Sequence, residues 1–143
     1  MKRHEKENAE KVLRQVLVGN EIMGLTFLLP VIIIGSWTNL TDDIYMHCES
    51  NLEMLDGRDL NSITFSERNR EREIEWICKL KGDPIVDVRL AAEVPHLAVQ
   101  FESGRILVIN GRDEMHETWQ VIAGEITVVA CPGNEIAVWC SEE

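Results

Sequence analysis

Leu97-Ala98-Val99-Gln100-Phe101-Glu102-Ser103-Gly104-Arg105-Ile106-Leu107-Val108-Ile109-Asn110 is two apolar runs divided by the polar break Glu102 to Arg105. Strand-length runs around a glycine-bearing break predict an antiparallel hairpin, with Gly104 supplying the positive φ that a tight turn demands. Further on, Glu125-Ile126-Thr127-Val128-Val129-Ala130 and Glu135-Ile136-Ala137-Val138-Trp139 flank Pro132-Gly133-Asn134 and predict a second hairpin. The C-terminal half therefore reads as antiparallel β. Its expected core includes Phe101, Leu107, Val128 and Trp139.

Towards the N-terminus the period changes. In Lys6 to Leu17, Ala9, Val12, Leu13, Val16 and Leu17 recur at helical spacing, and Gly19 offers a stop. The uncharged stretch Ile22 to Thr41 is long enough to be tested as a membrane span. Pro30 in its middle, and the β-branched run Val31 to Ile34, favour a buried strand or a tight strand pair instead. Ser66 to Cys78 fits a helix capped by Ser66, yet the alternation of Ile74, Trp76 and Cys78 fits a strand as well.

An internal echo links the halves. Leu17-Val18-Gly19-Asn20-Glu21-Ile22 matches Leu80-Lys81-Gly82-Asp83-Pro84-Ile85 as L-x-G-[ND]-x-I. Ile44 to Asn51 then parallels Leu97 to Gly104, and Leu52 to Gly57 parallels Ile106 to Gly111, in the same order. The expected fold is α+β and mainly antiparallel β: two related β-meanders packed together with a short N-terminal helix. It forms one domain over residues 1–143, with an internal duplication covering about 17–57 and 80–111.

The net charge is −11, and its distribution is uneven. Residues 1–20 hold five basic groups against three acidic ones; residues 83–143 hold Arg89, Arg105 and Arg112 against eleven acids. Such a chain repels phosphate backbones, which argues against nucleic-acid binding, and it suits the capture of a basic partner. Cys48, Cys78, Cys131 and Cys140 form no C-x-x-C pair and lie among apolar residues, so each reads as a buried thiol. Reduced thiols and a polar start from Met1 to Glu10 point to the cytoplasm and to no membrane association.

No nucleophile elbow, zinc-protease helix, P-loop or dinucleotide fingerprint occurs. His47 and Cys48 are neighbours on a strand and so point to opposite faces. The loop Arg112-Asp113-Glu114-Met115-His116-Glu117 reads as solvated rather than as a metal site. These residues predict no enzyme activity, cofactor or metal. Trp76 and Trp139 lie in apolar runs and read as core. Trp119 directly follows the acidic loop. Asp113, Glu114, Glu117 and Trp119 are therefore the expected partner-binding residues, carboxylates for attraction and an aromatic ring as anchor.

The stretch Phe101 to Val121 (FESGRILVINGRDEMHETWQV), followed by Val128 to Trp139 (VVACPGNEIAVW), resembles small bacterial β-rich proteins, some of them immunity proteins of polymorphic toxins. The likeness covers the last 60 residues or so, and the elements that carry it are structural. It implies a binding protein that neutralises a basic, nuclease-type toxin domain by direct contact. The alternative is a structural or oligomeric β-module whose acidity serves only solubility.

Overall fold

A computed structural model describes residues 1–27, 31–36 and 39–140, with the side chains of 39–42 left aside. Helix α1 (Arg3–Leu17) leads into β1 (Glu21–Thr26), β2 (Val31–Ser36), β3 (Asn39–Cys48) and the short β4 (Leu52–Met54). A single 3-10 turn (Leu60–Ser62) precedes α2 (Arg70–Leu80). The chain then runs through β5 (Ile85–Leu90), β6 (Leu97–Phe101), β7 (Ile106–Ile109), β8 (Trp119–Ala123), β9 (Ile126–Cys131) and β10 (Glu135–Cys140). This is an α+β fold, mainly antiparallel β, as the apolar periodicity predicts. The tight turn expected near Pro30 lies outside the described residues, but the strands on either side of it pair antiparallel, Thr26 opposite Val31. Among the described residues no helix is long and apolar enough to cross a membrane.

Two antiparallel sheets form, one of six strands in the order β1-β2-β3-β8-β9-β10 and one of four in the order β4-β7-β6-β5. Both expected hairpins are present: Val99 faces Leu107, and Val129 faces Ala137. Leu13 and Leu17 of α1 and Ile77 and Leu80 of α2 join inward residues of both sheets in one core, among them Ile34, Met46, Phe101, Leu107, Trp119 and Val128. Burying such side chains contributes roughly 1.5–3 kcal/mol each before conformational entropy is subtracted.

Each helix ends on a glycine with positive φ, Gly19 at 91° and Gly82 at 80°, a backbone state that L side chains adopt only with strain. The two helix–strand junctions meet. Gly19 N–H donates to the Ile85 carbonyl at 2.9 Å and Ile85 N–H to the Asn20 carbonyl at 2.8 Å, while Ile22 bridges Lys81 in parallel. Each helix also buries a glutamate seven positions before its last leucine. Glu10 accepts from Leu90 N–H at 3.0 Å, and Glu73 accepts from Leu52 N–H at 3.4 Å.

Beyond the junctions, the echo pairs segments that are not equivalent in space. β3 and β4 belong to different sheets, whereas β6 and β7 form a hairpin within one. β4 leaves β3 to pair with β7, and β8 leaves β7 to pair with β3, so the segments after the two meanders cross to opposite sheets. Matching apolar runs cannot reveal such a crossing, because alternation specifies a face and not a neighbour.

Several further expectations are corrected. Of the two readings left open for residues 66–78 the helix holds, over Arg70–Leu80, but Asn69 and not Ser66 caps it, accepting from Arg72 N–H at 3.1 Å. Ser66 instead donates its hydroxyl to the Glu53 carboxylate at 3.1 Å. Trp139 is 50% exposed, because Ile136 and Val138 take the inward positions of β10. Trp76 is only partly buried and carries the Arg72 guanidinium 4.9 Å above its ring. Of the thiols only Cys48 is buried; Cys131 is partly covered, and Cys78 and Cys140 are exposed.

Candidate functional site

The segment Asn110 to Trp119 links β7 of one sheet to β8 of the other, and both of its ends are fastened to Pro95 and His96. At the near end, Gly111 N–H donates to His96 Nδ1 at 3.0 Å, and the Gly111 backbone packs so closely on the Pro95 carbonyl that a Cβ there would overlap it. At the far end, the Trp119 indole N–H donates to the Pro95 carbonyl at 2.8 Å. Trp119 is 1% exposed and sits in the main core. This overturns its expected role as an exposed anchor. Cys48 and Ala130 are its strand partners, and that parity turns the ring inward.

Asp113, Glu114 and Glu117 lie on the outer part of this segment, together with His116 and Met115. The Asp113 carboxylate accepts from the Met115 and His116 backbone N–H groups at 2.8 and 3.0 Å. Those two bonds hold its pKa below the ordinary carboxylate value. Gly133 N–H donates to the Asp113 carbonyl, and Glu49 N–H donates to the Thr118 carbonyl. Glu49 and Glu135 are thereby drawn towards the loop, and burial together with the charges of Glu117 and Glu135 raises the Cys131 thiol pKa. Among the described residues, the ion pairs reach only Glu7, Glu10, Glu73, Glu75 and Asp87, on or beside the helices. Glu49, Asp113, Glu114, Glu117 and Glu135 are in none of them. No three His, Cys, Asp or Glu side chains among the described residues are placed to hold a metal ion.

Next to this acidic end lies the outer face of the six-stranded sheet. Ile33, Tyr45, Ile122, Thr127 and Trp139 face one another in a single cross-strand row. Tyr45 is 38% and Trp139 50% exposed, and both helices pack into the core on the opposite side. The exposed aromatics are thus residues that sequence reasoning passed over or placed inside. The signal that finds them is strand parity, counted from Ile44, Met46 and Ile136.

On the other sheet, Leu60, Ile63 and Phe65 cover the small outward residues Ala98 and Val108. At the end of this cover is a cleft of about 630 Å³, lined by Asn61, Phe65, Val94, His96, Asn110 and Arg112 among others. His96 is 7% exposed, and its ring centroid stands 5.1 Å from that of Phe65. Burial, reinforced by the Arg112 charge, pushes the His96 pKa down to about 4, so the ring is neutral at pH 7. The Cys48 thiol is pushed up to about 12 by burial and is no nucleophile at neutral pH. No family model, curated protein or solved structure matches the chain.

Proposed function

We propose that the chain is a small acidic binding protein that captures a basic protein partner, in the manner of an immunity protein neutralising a nuclease-type toxin domain in the cytoplasm. One observation carries this reading: an open sheet face bears the exposed rings of Tyr45 and Trp139 and, four residues further along the same strands from each ring, is edged by an end carrying five carboxylates that take part in no ion pair among the described residues. Apolar rings beside a charged rim suit protein recognition. The carboxylates attract a cationic surface from a distance and raise the association rate, whereas desolvated rings set the dissociation rate. Asp113, Glu114 and Glu117 keep their expected part in binding; Trp139 and Tyr45 replace Trp119 as anchors. The action is stoichiometric and uses no cofactor or metal.

The test starts from the genes flanking this one, where this reading expects a basic toxin domain, and measures binding kinetics with that domain at two salt concentrations, joined to survival of cells that express both. Reversing both Glu114→Lys and Glu117→Lys should slow association about tenfold and flatten its salt dependence. Replacing Tyr45→Ala and Trp139→Ala together should speed dissociation with little change in association. If both double variants bind and protect as the original does, the face is only a solvated surface and the alternative of a purely structural module takes its place.

A further inference from the structure

The cleft beneath Phe65 differs in chemistry from the acidic face, and its polar groups share one property. The Asn61 side-chain oxygen accepts from Ala92 N–H at 2.7 Å, and that of Asn110 accepts from Arg112 N–H at 2.9 Å. His96 Nδ1 accepts from Gly111 N–H, so the neutral ring carries its proton on Nε2. In all three side chains the accepting atom is occupied by backbone. Towards the cleft these three side chains offer chiefly donors, two amide NH₂ groups and one imidazole N–H, while the Thr64 hydroxyl in the same lining can donate or accept. His96 Nε2 donates to no group among the described residues, and it is not among their fully buried polar atoms without a partner, so it opens to the cleft. Arg112, an exposed residue that also lines the cleft, is in no ion pair among the described residues although Asp113 and Glu114 follow it directly in the chain. Phe65, Ile63 and Val94 supply apolar wall, and Glu93, exposed, adds one carboxylate to the lining.

We propose that this cleft binds a small monocarboxylate carried on an apolar or aromatic body. Its volume falls within the range of small-molecule sites, which is roughly 300–1,000 Å³. Donors outnumber acceptors in this lining, which favours an anion, and charge decides which one. The lining offers a single permanent cation, Arg112, and one exposed carboxylate, Glu93, in a chain of net charge −11. One negative charge can pair with Arg112 while the exposed Glu93 stays solvated, whereas the second charge of a phosphate monoester finds no cation there. The apolar body lies against Phe65 and leaves the carboxylate facing Arg112 and His96 Nε2–H.

The probe is benzoate, titrated into the isotope-labelled full chain while the His96 ring signals and the Asn61 and Asn110 side-chain amides are followed by NMR. Saturable shifts at all three are expected. Arg112→Gln, an exposed position whose loss leaves the fold intact, should weaken binding about tenfold, and so should the neutral isostere benzamide. Phenyl phosphate should bind no better than benzoate. Absence of saturable shifts at these side chains overturns the site. Equal affinity for benzamide, or an unchanged affinity in the Arg112 variant, reduces it to a plain apolar cleft, and tighter binding of phenyl phosphate overturns the choice of carboxylate. None of these outcomes bears on capture of a protein by the acidic face.

Discussion

The unit α1-β1-β2-β3 and the unit α2-β5-β6-β7 share a plan: a helix, a left-handed glycine, and a three-stranded antiparallel meander. They differ in what their sheets present outward. The first sheet grows to six strands and leaves Tyr45 and Trp139 in the open; the second stops at four, and Leu60, Ile63 and Phe65 lie over its outer face. Side-chain size explains the contrast. Ala98 and Val108 form a flat apolar floor that must be covered, whereas Tyr45, His47, Gln120 and Thr127 tolerate water. Similar backbones thus yield an open face in one half and a roofed cleft in the other.

Truncations of aromatic residues give the sharpest break between inward and outward positions. Phe101→Ala should cost roughly 3–5 kcal/mol in chemical denaturation, because the core cannot close over the cavity. Trp139→Ala, on the open face, should cost less than about 1 kcal/mol. Comparable losses at both positions would mean that the six-stranded sheet has a cover on its outer side, and the contrast between the sheets would fail.

A pH series probes the roofed half alone. Folded His96 titrates at about 4, against an ordinary value of 6.5. Between those values the unfolded chain binds a proton that the folded chain refuses. Stability should therefore fall as pH drops from 6.5 towards 4, by on the order of 3 kcal/mol from this group, and the loss should level off below that window. NMR titration of the imidazole, beside denaturation at several pH values, checks both sign and range. Arg112→Gln should narrow the window, since the guanidinium charge helps to hold the pKa down.

The smallest effect separates the two helices. Asn69→Ala removes the side-chain cap of α2 and should cost about 1 kcal/mol. α1 begins at Lys2 with no side-chain cap, and Lys2→Ala should change almost nothing. Equal costs would show that capping is not where the helices differ.

How much of this was legible in the sequence follows from the range of the interactions involved. Hairpins at 97–110 and 126–139, the helix near the N-terminus and the paired glycines are local matters, decided by period, turn chemistry and φ within a few residues. The acidity of the C-terminal half is likewise plain from composition. Tertiary structure alone decided that Trp119 turns inward onto Pro95 while Trp139 turns outward, because a strand's parity is set by the partners it finds and not by its own composition. It also decided the crossing of β4 and β8, and the meeting of Asn61, His96, Asn110 and Arg112 in one cleft. Those residues come from three separate stretches of chain, and no local pattern marks Asn61 and His96, whose accepting atoms are taken by backbone N–H groups 31 and 15 positions away.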